Sequence, residues 1–142
     1  FGAAMTSADV NGDGFSDLFV GAPDYTVDQT TEGAAFLYLG SAQGLDPVPN
    51  ARIESNQVGA RLGGSIASAG DLNDDGAADI IVGVTDFDDA AVDQGAGFVY
   101  LGTRGGAFNS TVDLVLEGAT TATARSGYSV ASGDINGDGV AD

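Results

Sequence analysis

Asp9 to Asp17 reads DVNGDGFSD, Asp71 to Asp79 reads DLNDDGAAD, and Asp134 to Asp142 reads DINGDGVAD, at intervals of 62 and then 63 residues. A second block keeps step with the first, since GAAFLYLG at Gly33 to Gly40 recurs as GAGFVYLG at Gly95 to Gly102. Two features repeating in phase define an internal repeat. Each unit of such an array buries its apolar face against its neighbours.

The runs after the acidic loops, LFVG from Leu18 and IIVG from Ile80, are short, rich in β-branched and aromatic residues and bounded by glycine. Those are the marks of buried strands. Small-residue segments precede the loops (FGAAMTSAD, LGGSIASAGD, SGYSVASGD), and ARIES at Ala51 to Ser55 and DLVLE at Asp113 to Glu117 supply one further strand per unit. No stretch carries a capped amphipathic helical pattern. The fold class is therefore all-β, with four-stranded blades of the β-propeller type and about 2.3 repeats of 62–63 residues. The units run 1–61, 62–124 and 125–142, the last holding a first strand and an acidic loop. A closed propeller takes typically four to eight blades. The chain thus reads as an incomplete propeller, a fragment of a longer polypeptide, or a subunit whose incomplete blade a neighbour finishes, because an unpaired edge invites strand addition.

With 21 Asp and Glu against four Arg, no Lys and no His, the net charge is −17. That charge repels nucleic acid and anionic lipid. No apolar segment approaches the roughly 20 residues that span a bilayer, which excludes helical membrane insertion. The absence of cysteine excludes disulfides and thiolate metal sites, and no targeting segment is legible at Phe1.

In D-x-N-x-D-G-x-x-D, side-chain oxygens stand at loop positions 1, 3, 5 and 9. Oxygen donors alone select a hard cation, and calcium accepts six to eight of them, often with a backbone carbonyl near position 7. The glycine at position 6 (Gly14, Gly76, Gly139) permits the left-handed backbone that curls such a loop. The first site would use Asp9, Asn11, Asp13, the Phe15 carbonyl and Asp17. The second would use Asp71, Asn73, Asp75, the Ala77 carbonyl and Asp79. The third would use Asp134, Asn136, Asp138, the Val140 carbonyl and Asp142. Up to three Ca²⁺ ions would offset six of the seventeen excess negative charges, and the other acids are also compatible with adaptation to high salt. A single such loop is equally well explained as a surface turn, but three copies with four donors in fixed alternation are not. EF-hands and dockerins need an acidic residue at position 12 and a following helix. This chain has Val20 and Val82 there, followed by strand sequence.

On these residues the chain resembles the FG-GAP repeats of integrin α-subunit propellers and bacterial surface proteins. Phe1-Gly2 stands as the FG element and Gly21-Ala22-Pro23 as the GAP element, with the acidic loop between them. Leu62-Gly63 and Gly83-Val84-Thr85 replace them in the second repeat, and Ser126-Gly127 opens the third. The resemblance implies that the loop joins the first two strands of a blade and that calcium rigidifies that hairpin. It also implies an extracellular, secreted or cell-surface setting, where millimolar calcium fills weak sites.

Without His, Cys or Lys, the commonest general bases and covalent nucleophiles are missing, and the best-placed carboxylates belong to the metal loops. The chain is thus expected to be non-catalytic. It reads as an adhesion module for a protein or glycan ligand. The alternatives are a structural subunit assembling with further copies of itself into a filament or layer, and an accessory part of a larger secreted enzyme. Tyr25, Tyr38, Tyr100 and Tyr128 are candidate contacts, but Tyr38 and Tyr100 occupy equivalent strand positions and read better as packing residues. Asn109-Ser110-Thr111 is a possible glycosylation sequon in an expected turn.

Overall fold

The computed structural model describes residues 1–137, 140 and 141. It forms two four-stranded antiparallel sheets, each a simple meander. The first contains β1 (Met5–Ala8), β2 (Asp17–Ala22), β3 (Ala34–Tyr38) and β4 (Ala51–Glu54). The second contains β5 (Leu62–Gly70), β6 (Asp79–Val84), β7 (Ala96–Tyr100) and β8 (Leu114–Glu117). The architecture is all-β and fits incomplete propeller blades. Equivalent strands pair in equivalent register: Val20 faces Phe36 as Val82 faces Phe98, and Leu18 faces Tyr38 as Ile80 faces Tyr100.

The core lies between the sheets. Strand alternation sends Phe19, Leu37 and Ile53 from the first sheet against Leu62, Ile80, Val82 and Tyr100 from the second, all at most 2% exposed. Each such side chain contributes about 1.5–3 kcal/mol when fully buried. Phe108, from the loop between β7 and β8, closes this layer against the Phe19 ring at 5.3 Å and the Tyr100 ring at 6.4 Å. The two members of the repeated tyrosine pair therefore differ: Tyr100 is fully buried, whereas Tyr38 is half-buried on the far face of the first sheet.

The sheets approach closely enough to require glycine. A Cβ at Gly21 or Gly83 would run into the carbonyl of Gly63 or Gly127, respectively. Gly63 and Gly127 adopt φ of +91° and +77°. The parallel bridges Gly33 with Leu62 and Gly95 with Ser126 continue the same junction. Among the described residues, the segment from Ser126 to Gly133 forms only that bridge, not the strand expected from SGYSVASGD. In the two complete sheets the corresponding segment, β1 or β5, pairs with the apolar strand after its loop; the Ser126–Gly133 segment instead meets β5 through side chains, the Ser65 hydroxyl donating to the Gly127 carbonyl (2.8 Å) and the Ser132 hydroxyl to the Ser68 carbonyl.

Candidate metal centre

The acidic loops join β1 to β2 and β5 to β6, at one end of the sheets. In the first loop, Asp9 accepts hydrogen bonds from the backbone N–H groups of Asp13 (3.1 Å) and Gly14 (2.8 Å). Asn11 Oδ1 accepts from Asp13 N–H (3.0 Å), and Asp13 accepts from Phe15 N–H (2.9 Å). The second loop repeats this scheme. Asp71 accepts from Asp75 (3.1 Å) and Gly76 (2.8 Å), Asn73 from Asp75 (3.2 Å), and Asp75 from Ala77 (2.8 Å).

Position 9 differs from the rest because it is buried. Asp17 and Asp79 are 0% exposed, whereas Asp13 and Asp75 face solvent. Asp17 accepts from Val10 N–H (3.0 Å) within the loop and from Gly40 N–H (2.8 Å) at the end of β3. Asp79 likewise accepts from Leu72 (2.7 Å) and Gly102 (2.8 Å). Burial raises both carboxyls above the ordinary aspartate range, the backbone bonds partly offset this, and the charges of the other two loop aspartates raise them further. Each position-9 residue thus ties its loop to the glycine that closes the FLYLG or FVYLG block. Sequence reasoning treated it only as a ligand, although the joint recurrence of that glycine and Asp was the available signal.

A second feature missed from sequence is the left-handed backbone at position 4. Gly12, Asp74 and Gly137 have φ of +66°, +57° and +79°. At position 6, Gly14 and Gly76 have φ of +90° and +86°, as expected. The third loop is only partly described. Asp134 accepts from Gly137 N–H at 2.6 Å, and Asn136 and Val140 are placed, whereas Asp138, Gly139 and Asp142 lie outside the described residues.

Among the described residues, no three acidic, His or Cys side chains stand together as a ready metal-holding group. The oxygens of Asp9, Asn11 and Asp13 are turned onto the amides of their own loop. The donor chemistry nevertheless fits a hard cation. Three carboxylates and an amide oxygen share one short loop, an all-oxygen donor set of net negative charge that suits such an ion.

At the opposite end of the strands, Arg61 pairs with Asp24 (2.8 Å) and reaches Asp86 (3.9 Å), while Arg125 pairs with Asp86 (3.2 Å). Arg61, Asp86 and Arg125 line a cleft of about 370 Å³ with Pro23, Thr85 and the exposed Tyr128. Tyr25 stacks edge-on to Phe36 at 5.2 Å. Asn109 is exposed, and its Oδ1 accepts from Thr111 N–H at 3.0 Å.

Two meander sheets joined through glycine contacts, each opened by an acidic loop, define a propeller-blade repeat. The FG-GAP repeat family matches residues 1–38. The chain is 33% identical over 146 residues to bovine phosphatidylinositol-glycan-specific phospholipase D, covering 96% of this chain and 17% of that protein. It is 33% identical over 151 residues to Xenopus laevis integrin alpha-5 (100% and 14%) and 36% identical over 144 residues to human integrin alpha-7 (98% and 11%). The chain contains an FG-GAP repeat domain related to integrin α-type propeller blades. It spans about a sixth or less of the length of these relatives. Blades of this family are non-catalytic structural or adhesion modules and are typically extracellular. No helix among the described residues is long and apolar enough to cross a membrane.

Proposed function

We propose that the chain is a calcium-binding adhesion module whose acidic loops, when loaded, become rigid hairpins that hold the blade end in shape for a protein or glycan ligand. The repeats would run 1–61, 62–124 and 125–142. The observation that carries this reading is the shared hydrogen-bond scheme of the first two loops, which sets the same oxygen donors at the same positions 62 residues apart. Asp9, Asn11, Asp13, the Phe15 carbonyl and Asp17 would hold the first ion; Asp71, Asn73, Asp75, the Ala77 carbonyl and Asp79 the second. The third would fall to Asp134, Asn136 and the Val140 carbonyl with Asp138 and Asp142. Bound calcium supplies positive charge and fixed ligand directions, replacing carboxylate repulsion with attraction. The concave candidate for ligand contact is the cleft lined by Arg61, Asp86, Arg125 and Tyr128; it lies at the strand ends opposite the acidic loops, so calcium would act on it through the stiffness of the blades, and Asn109 is exposed for glycan attachment.

A second reading, assembly with further copies, is favoured by the apolar outer faces. Phe1 and Met5 are 77% and 63% exposed on one side, and Leu114 and Leu116 are 53% and 44% exposed on the other. The similarity to phospholipase D supports a third, an accessory role beside a catalytic domain. Light-scattering mass after size exclusion, in millimolar calcium and again after chelation, separates the first two. A monomer that expands on chelation supports the calcium-rigidified module, and a large particle that dissociates supports assembly. Indifference to calcium overturns the metal reading.

A further inference from the structure

The two acidic loops are not independent. Loop 1 lies directly on the second blade, because the carbonyls of its first three residues are all taken there. Ala78 N–H donates to Asp9 O (2.8 Å), Thr103 N–H to Val10 O (3.0 Å), and Gly105 N–H to Asn11 O (2.7 Å). At this junction loop 1 meets loop 2 itself, since a Cβ on Gly12 would stand 2.9 Å from the Gly76 carbonyl oxygen. One side chain fills the seam. A Cβ on Gly12 would also meet Arg104 Cγ at 2.8 Å, and a Cβ on Gly76 would meet Arg104 Nη1 at 3.0 Å. The stem of Arg104 therefore crosses loop 1 and its guanidinium rests against loop 2, at the glycine between the donors Asp75 and Ala77. The corresponding residue of the first repeat is Ala42, so the repeat pattern does not require an arginine here. Arg104 is one of four cationic side chains in a chain of net charge −17. The other three make ion pairs with Glu54, Asp24 and Asp86, away from these loops.

The geometry points to Arg104 as a resident counter-charge shared by loops 1 and 2. It is a positioning residue that steadies both loops in the calcium-free state and lowers the calcium affinity of loop 2. This inference rests on the calcium reading of the loops and adds an asymmetry that the reading alone does not contain. A guanidinium within a few ångströms of a loop attracts its carboxylates but repels an arriving divalent ion. Because Arg104 is exposed, both effects are moderated by water and weaken with salt. The two roles also link the sites: calcium in either loop supplies charge that Arg104 otherwise provides to both.

The test uses Arg104→Gln, which keeps much of the stem, and Arg104→Lys, which keeps the charge. Calcium titration calorimetry is combined with thermal melting in chelator at low and high sodium chloride. R104Q is expected to bind calcium about three- to tenfold more tightly at one site, a range set by a screened surface charge. In chelator it is expected to melt earlier than wild type at low salt, with the difference shrinking at high salt. R104K should stay close to wild type in both assays. A purely packing role would lower the melting temperature of R104Q equally at all salt concentrations and leave affinity unchanged, which overturns the inference. If wild type binds no calcium, the metal reading fails. The salt-dependent melting difference then still judges the counter-charge role, and its absence overturns it.

Discussion

Replacing Asp75 by Asn separates metal ligation from loop architecture. Asp75 is exposed, and its Oδ1 accepts a hydrogen bond from Ala77 N–H at 2.8 Å. The Asn carbonyl oxygen retains that acceptor, and the change removes the charge together with the exposed 3.2 Å bond that Oδ2 accepts from Asn73 Nδ2. In chelator the stability change should therefore stay within about 0.5 kcal/mol, as for surface substitutions that break no buried contact. Extracellular modules hold calcium with dissociation constants of about 10⁻⁴ to 10⁻³ M. At 2 mM free calcium a site in that range stabilises the folded protein by about 0.6–1.8 kcal/mol. Losing one loop should remove about that much of the calcium-induced gain while leaving the contribution of the first loop. Asp79→Asn is the contrasting control. Asp79 is fully buried and accepts from both Leu72 and Gly102. An amide group turned toward either N–H costs about 1–3 kcal/mol with or without calcium. The assay is urea unfolding of wild type and both variants in 2 mM calcium and in chelator. Equal calcium increments in wild type and D75N would refute the placement of an ion at the second loop.

Tyr100→Phe should hold or raise stability by up to about 1 kcal/mol in denaturant unfolding, because the buried hydroxyl has no hydrogen-bond partner among the described residues. Burial, and next the Asp113 charge, push this phenol far above its ordinary range, so in an alkaline titration its absorbance change should come after that of the exposed Tyr128 while the protein is folded. Gly21→Ala should separate the sheets, since the new methyl would strike the Gly63 carbonyl. Circular dichroism melting should fall by more than about 3–4 °C, the scale of a loss above about 1 kcal/mol in a domain of this size. The pH dependence should change sign with calcium. Asp17 and Asp79 have folded-state pKa values above the ordinary 3.8. The stability they contribute is complete below the unfolded pKa and is lost as pH rises through the folded one. In chelator, these two groups should make melting temperature rise as pH falls through their raised folded-state range toward the ordinary aspartate value of 3.8. In calcium it should fall, because protons then compete with the ion for the same oxygens.

The repeat period, the four-strand unit and the acidic loops were legible because each depends on local pattern. Asp, Asn and Gly at fixed offsets specify a tight oxygen-rich turn, and short apolar runs bounded by glycine specify strands. The segment from Ser126 to Gly133 was read as a strand on the same grounds, yet it forms only a bridge at Ser126. Pairing is not local: a strand requires the partner that completes its ladder, and pattern alone does not supply one. Nor did pattern separate Tyr38 from Tyr100, which occupy the same place in the repeat. One lies on an outer face and the other against Phe19 and Phe108, so neighbouring sheets decided their burial.

The sequence by itself determined the four-strand unit, the period and composition of the acidic loops, and the likeness to FG-GAP repeats. The tertiary structure decided what the repeated glycines and the ninth loop residue do. Gly21 and Gly63 lie far apart in the chain, but they meet where the sheets touch, and only a backbone without Cβ fits there. Asp17 and Asp79 appear as ligands in a one-dimensional motif. In three dimensions they are also buried acceptors for Gly40 and Gly102, because the end of the third strand of each sheet comes to rest against the loop. The seam holding Arg104 likewise exists only after two blades pack, since its neighbours come from loops 62 residues apart.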